Sequence, residues 1–289
     1  MVKYKNHYEA IPVLKHWLKT QPHLPIIEDS PLRSFIVFCD GDVEEAKILI
    51  DKHYTFRTNN PQIFGNRDVN SKAFEKLNEI LDLILLPDLT PDNHLVTIFR
   101  IRSPDVTYYN YTEQVRFIIA VLDAHLRVFP MDKTPDGVYL ILDLKEFTLQ
   151  HLTRVDFSAA RVLTKYMEDV ISIKIPRSNI INCPTFISRI VTMARTFITE
   201  KTYKKFVIHE TNNDELFDYI PRDILPIEIN GTKGSIDDIK RENLKVFKEN
   251  ADYIFNSKYW FVDESKRPAN SRKSQFENMQ GNFRSLSVD

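Results

Sequence analysis

The sequence predicts an α/β protein, with a helical N-terminal domain followed by a domain built on a mostly parallel sheet. Three observations carry this. Residues 1–90 show helical spacing and no strand alternation. From residue 94 the pattern becomes strand, helix, strand, helix, the rhythm of parallel strands joined by helical crossovers. The run VYLILDL (138–144) is apolar on both faces, as a central strand covered from each side must be. The expected division is 1–90 for the helical domain, 91–250 for the α/β domain, and 251–289 for a C-terminal extension.

In the first part, Ile11, Leu14, Trp17 and Leu18 recur at helical spacing, and QPHLP (21–25) ends that helix with two prolines. Asp42 is placed as an N-cap, with Glu45 three residues on. The helix behind it carries the stripe Val43, Ala46, Leu49 and Ile50. Ser71 is placed to cap AFEKLNEILDLILL (73–86), read as one helix. No strand is expected before Pro91.

In the second part, LVTIFRI (95–101) reads as a strand and 112–129 as a helix. The central strand 138–144 follows a Pro-Asp-Gly turn, and 156–171 is helical. SNIIN (178–182) and KFVIH (205–209) are short strands around a long helical stretch, 184–205. An amphipathic helix follows Ser235. The 24 residues from Lys266 are polar and aperiodic, so disorder is expected from about 266.

Composition excludes several function classes. Lys and Arg number 39 against 40 Asp and Glu, a net charge of -1, which does not describe a polybasic nucleic-acid binder. The six glycines form neither a dinucleotide fingerprint nor a P-loop. Cys39 and Cys183 lie far apart and form no CxxC, so no disulfide framework is expected. The longest apolar runs fall far short of the ~20 residues that span a bilayer. A cytoplasmic protein is therefore expected. His94, His125, His151 and His209 are scattered without metal-ligand spacing. Asp143, at the end of the central strand, reads as a cap or turn carboxylate. No enzyme, metal or cofactor is expected.

Charge is concentrated in one place. Between Lys174 and Lys205 stand Lys174, Arg177, Arg189, Arg195, Lys201, Lys204 and Lys205, against the single acid Glu200. Such a patch attracts anionic surfaces, lipid or phosphate. On a helical wheel, Phe186, Ile187, Ile190, Val191, Met193, Ala194, Phe197 and Ile198 fall within an arc ~160° wide, with Arg189 and Arg195 beside it. Basic side chains flanking a broad apolar face suit a membrane interface. A helix packed on a sheet presents the same arc, and periodicity does not separate the two.

Several ordered stretches resemble the CRAL-TRIO lipid-binding family, above all its tocopherol- and retinaldehyde-binding branch. They are DGVYLILDLKEFTLQHL, DFSAARVLTKYMEDVISIKIPRSNIINCP, FISRIVTMARTFITEKTYKKFVIH and LFDYIPRDILPIEINGTKGSI. The last contains the family's closing phrase as Ile220-Pro221, Ile224-Leu225-Pro226, Glu228, Gly231 and Gly234-Ser235. FIVFCDGDVEEAKILIDKHYTFRTNNPQIF resembles the family's N-terminal helical domain.

The resemblance implies a sheet flooring a closed apolar cavity, with 184–205 as a mobile gate helix. It maps the ligand wall onto Phe117, Ala120, Ala124, Val138, Leu140, Leu163, Tyr166, Met167, Ile171, Ile173 and Ile175, and onto Ile187, Ile190, Val191 and Ala194 of the gate. Ala120 and Ala124 would leave room, and the Tyr166 hydroxyl would hold a polar ligand atom. The family's phosphoinositide positions fall on Lys174, Lys201 and Lys205. A fourth falls on Pro176, with Arg177 beside it. Lys204, Phe186 and Phe197 complete the expected membrane face. An Arg-rich phrase of the family is replaced here by Val37-Phe38-Cys39. The implied function is a non-catalytic carrier of one hydrophobic molecule, such as a retinoid, tocopherol, carotenoid or other isoprenoid, that meets anionic membranes transiently. The alternative is a phosphoinositide-sensing adaptor, its tail or helical domain recruiting a protein.

Overall fold

The computed structural model describes residues 7–129, 134–209 and 214–268. Five helices come first: α1 (His7–Leu18), α2 (Asp29–Phe38), α3 (Val43–Asn59), α4 (Pro61–Phe64) and α5 (Lys72–Ile80). Asp42 caps α3, accepting from the N–H groups of Glu44 and Glu45 at 3.0 and 3.1 Å. Ser71 caps α5 through the N–H of Phe74.

Helix α5 stops at Ile80, and strand β1 (Leu81–Leu89) follows directly, paired antiparallel with β2 (His94–Ile101). The expected helix over 73–86, and the expected absence of strands before Pro91, are both corrected here. A short apolar run such as LDLILL, interrupted only by Asp82, is too short for its period to separate helix from strand. Pairing with β2 decides its state, and residues 81–86 are buried from both sides.

The remaining elements are α6 (Tyr111–Val128), β3 (Gly137–Asp143), α7 (Leu149–Thr153), α8 (Phe157–Asp169), β4 (Arg177–Ile181), α9 (Ile187–Ala194), α10 (Glu200–Tyr203), β5 (Phe206–Ile208), α11 (Ile236–Glu249) and α12 (Ala251–Phe255). The sheet order is β1-β2-β3-β4-β5, parallel from β2 onward. Strand β3 is the middle one, as its two apolar faces predict. Asp143 at its end accepts from Lys145 N–H and Asn182 Nδ2, a turn role.

Alternation divides the sheet's side chains between two layers. Leu83, Leu95 and Val138 face a layer made by α5, α6 and α8. Ile84, Ile98 and Ile141 face Leu216, Ile220, Leu225 and Ile229, from the closing phrase. There the chain folds back on itself, because a Cβ on Gly231 would lie 2.1 Å from the Leu225 carbonyl oxygen. The Glu228 carboxylate accepts from Ile236 N–H at 3.0 Å and holds the start of α11.

The stretch 184–205 is not one helix. It forms α9 and α10, separated by turns. Thr199 caps α10, and its own N–H and hydroxyl both donate to Glu168 at 2.8 Å. Past α9 the N–H groups of Thr196 and Phe197 donate three residues back, to Met193 and Ala194, and that of Thr199 leaves the ladder for Glu168, so the wheel drawn through Ile198 does not apply beyond α9.

The C-terminal segment packs against α1–α3. Trp260 and Val262 are buried in that cluster, and Val262 N–H donates to Thr58 at 2.8 Å. Arg267 is buried and bonded to Asp51 and Glu264. The disorder expected from about 266 does not hold for 266–268, and the rest of that expectation falls on 269–289, outside the described residues. Among the described residues, no helix is long and apolar enough to cross a membrane.

Candidate functional site

A cavity of about 680 Å³ lies between α8, the segment 173–178 and the segment 198–206. Its size falls within the ~300–1,000 Å³ of small-molecule sites. Leu163 and Met167, one turn apart on α8, share the face turned toward it. Leu140 and Ser178 are register partners on β3 and β4 and face it together. Ile173, Ile175, Ile198, Phe206 and Phe38 complete the apolar wall. The polar part holds Thr164, Glu168, Asp169, Thr199 and Thr202, with the ammonium groups of Lys174, Lys201 and Lys205. Burial pushes the Glu168 carboxyl up, but hydrogen bonds from Thr202 and Thr199 outweigh it and hold it below its ordinary value.

Of the wall mapped by resemblance, Leu140, Leu163, Met167, Ile173 and Ile175 line this cavity. Phe117, Ala120, Ala124, Val138, Ile171 and Tyr166 sit instead in the packed core, Ala120 and Ala124 fully buried. The Tyr166 hydroxyl is occupied by Arg57 Nη2 at 2.5 Å. Ile187, Ile190, Val191 and Ala194 are half-buried on α9, and none lines the cavity.

Of the expected anion and membrane set, Lys174, Lys201 and Lys205 converge on the cavity rim. Arg177 does not join them. Its side chain leaves the opposite face of β4 and stacks over Tyr219 at 3.7 Å. Adjacent strand positions point to opposite faces, so a basic residue one place away is no substitute. Lys204 is exposed outside the rim, and Phe186 is half-buried. Phe197 packs 5.4 Å from the exposed Phe157 ring.

Ile198, on the expected apolar arc, also lines the cavity, whereas sequence reasoning missed Phe38, Thr164, Glu168, Asp169, Ser178, Thr199, Thr202 and Phe206. Thr164 and Glu168, four residues apart on α8, share one face of the helix, but nothing in the sequence marks that face as the one turned to the cavity. Phe38 comes from the helical part, and no local signal points to it.

The segment behind the cavity is anchored in the helical part. His53 Nδ1 lies 2.8 Å from the Val170 carbonyl, just past α8. Burial, reinforced by Arg57, pushes the His53 pKa down to about 3. An unfolded histidine titrates near 6.5, so unfolding takes up a proton below that pH. The stability contributed by neutral His53 is complete above pH 6.5 and is lost as pH falls toward 3. Wild-type stability from urea titrations should drop by about 2 kcal/mol from this residue alone by pH 5. His53→Gln, which keeps a donor toward Val170, should show a visibly flatter acid limb. An unchanged slope would contradict the assignment.

A profile described as the CRAL/TRIO domain matches residues 82–231, just over half of the chain, and the chain belongs to that family. This agrees with the resemblance carried by DGVYLILDL and the closing phrase. A second profile, described as a Pinta-like UBA domain, matches 3–74. Among curated relatives, the alpha-tocopherol transfer protein-like protein of Homo sapiens is 25% identical over 227 residues, 76% of this chain and 63% of the relative. The match thus spans less than two thirds of that relative's length. Clavesin-1 of Xenopus laevis is 27% identical over 229 residues, 78% of this chain and 68% of the relative. The crystal structure of Sfh5 superposes with a TM-score of 0.54 at 15% identity, covering 86% of this chain and 99% of that one, a likeness of fold alone.

Proposed function

We propose that this protein is a carrier that shields one hydrophobic small molecule and exchanges it at anionic membranes. The observation that carries the reading is the cavity itself, with an apolar wall from α8 and β3 and three lysines at its rim. Each 100 Å² of apolar ligand surface buried there contributes about 2.5 kcal/mol. A retinoid, tocopherol, carotenoid or related isoprenoid is the ligand class, and α-tocopherol, present in the human relative's name, is one member of it. The segment 187–205 is the moving cover. No residue of α9 or α10 is buried, and the segment is tied to α8 by Thr199 to Glu168 and by the Phe197–Phe157 ring contact. The cover's half-buried apolar residues and exposed Lys201 and Lys204 suit a membrane surface when it lifts.

The test is organic extraction of the purified full chain with mass spectrometry, then transfer of a bound isoprenoid between vesicles. Lys201→Glu/Lys205→Glu should slow transfer to phosphatidylserine-containing vesicles tenfold or more, since each basic group near such a surface is worth about 1 kcal/mol. Transfer to neutral phosphatidylcholine should change little, and salt should slow the wild-type protein on anionic vesicles. A chain that carries no lipid and takes up none from a panel overturns the carrier reading. The convergence of Lys174, Lys201 and Lys205 also supports the second reading, a phosphoinositide-sensing adaptor. Recruitment to phosphoinositide vesicles without transfer would favour it.

A further inference from the structure

Lys174 lines the cavity with Lys201 and Lys205 and is also paired with a carboxylate. That carboxylate is Asp40, at 2.5 Å and across 134 residues of sequence. Asp40 belongs to the turn between α2 and α3, two residues after Phe38, which lines the same cavity. That turn is rigidly held. Asp40 is in the left-handed region at φ 50°, its N–H donates to Val37 O, and Gly41 N–H donates to Ile36 O at 2.9 Å. The turn sets Asp40 close enough to the cavity for its carboxylate to meet Lys174. Among the described residues it makes no side-chain hydrogen bond except the one to Lys174.

We infer that Asp40 is an internal competitor for a phosphate-bearing amphiphile at the rim: it neutralises Lys174, and an incoming phosphate must displace it. The inference rests on the reading of that rim as the anion-facing mouth of the carrier. The exposure of the pair makes displacement feasible, because the Lys174 and Asp40 side chains are 39% and 71% exposed. An exposed ion pair holds its partner by no more than about fivefold. A phosphate group carries more charge than one carboxylate and meets Lys201 and Lys205 as well.

Displacement has a structural consequence. The chain from Tyr166 to Lys174 is tied to the helical part at three points: Arg57 on Tyr166, His53 on Val170, and Asp40 on Lys174. The first two are buried. The third is the one a ligand can reach, and it adjoins the wall residues Ile173 and Ile175. Displacing Asp40 would release the one exposed member of these three hydrogen bonds, beside Ile173 and Ile175, while the Lys174 carbonyl stays held by Val138 N–H at 2.8 Å.

The experiment is a double-mutant cycle in the full chain, with Asp40→Asn, Lys174→Ala and the pair. The probes are phosphatidylcholine vesicles doped with phosphatidylinositol bisphosphate, soluble inositol trisphosphate, and plain phosphatidylcholine as the baseline. Both side chains are exposed, and thermal melts verify that each variant is folded. Asp40→Asn should tighten binding about two- to fivefold, Lys174→Ala should weaken it, and Asp40→Asn should have no effect in the Lys174→Ala background. A gain on both probes assigns the phosphate group alone as the competitor's target, and a gain on vesicles alone assigns the membrane-held lipid; either supports the competition. An equal gain in both backgrounds would mark a general surface-charge effect and overturn it. Wild-type binding with no gain in Asp40→Asn overturns the competition but leaves the rim reading intact. If no variant binds either probe above the baseline, the rim reading falls, and the competition falls with it.

Discussion

Asp123→Ala should lower stability by about 3–5 kcal/mol, more than any surface change in this protein. Asp123 lies on α6, with both carboxylate oxygens engaged by Arg57 of α3 at 2.7 and 2.8 Å. Arg67 donates to the same carboxylate. All three side chains are buried. The Trp260 ring lies 4.6 and 4.4 Å from the two guanidinium centres. Burial pushes the Asp123 carboxyl up, but Arg57 and Arg67 outweigh it and hold the carboxyl below the usual range. Removing the carboxylate leaves two guanidinium groups in the interior without a counter-charge. The cluster joins the helical part, the helices over the sheet and the C-terminal segment, so its loss acts on all of them. Urea denaturation measures the effect. A loss below ~1 kcal/mol would mean that the guanidinium groups find other partners or water. Replacing all three groups with apolar residues of similar volume should recover much of the loss, because the penalty is uncompensated charge and not missing attraction.

Leu163→Trp/Met167→Trp should abolish ligand uptake while leaving the fold standing. The two side chains project into the cavity from successive turns of α8 and are only half-buried. Two indoles there consume the space a ligand needs without overpacking the core. Affinity for a fluorescent isoprenoid should fall at least tenfold, about 1.4 kcal/mol, with the melting temperature little changed. Ala120→Trp is the informative contrast. Ala120 is fully buried in the packed layer, so an indole there should destabilise by about 1–3 kcal/mol. If the α8 pair binds ligand normally and the Ala120 variant folds normally but does not, the ligand space lies in the layer around α6.

The basic part of the candidate site was legible in composition, because Lys174, Lys201 and Lys205 belong to a run of like charges in a nearly neutral chain. Leu140, Leu163 and Met167 were placed by the family resemblance, since periodicity shows only that they lie on a strand and a helix. Tyr166 was misleading for a local reason. One helical position from Met167, it lies on the side of α8 that faces Arg57, and only the packing of α3 against α8 gives its hydroxyl a partner. Arg177 was misleading for the converse reason, since strand alternation sends it through the sheet, away from the lysines.

The sequence by itself determined the class of the fold, the identity of β3 as its centre, the caps at Asp42 and Ser71, and the family. All of these rest on interactions within a few residues or on phrases preserved in order. Tertiary structure alone decided that LDLILL is a strand, that 184–205 breaks at Thr199, that Trp260 and Arg267 pack inward, and that Asp40 meets Lys174. In each case the deciding partner lies far along the chain: β2 for β1, Glu168 for Thr199, Thr58 and Asp51 for the C-terminal segment, and 134 residues for the last pair. A local pattern specifies which states a segment tolerates. The free energy that selects among them comes from burial and hydrogen bonds with partners that only the folded chain brings into reach.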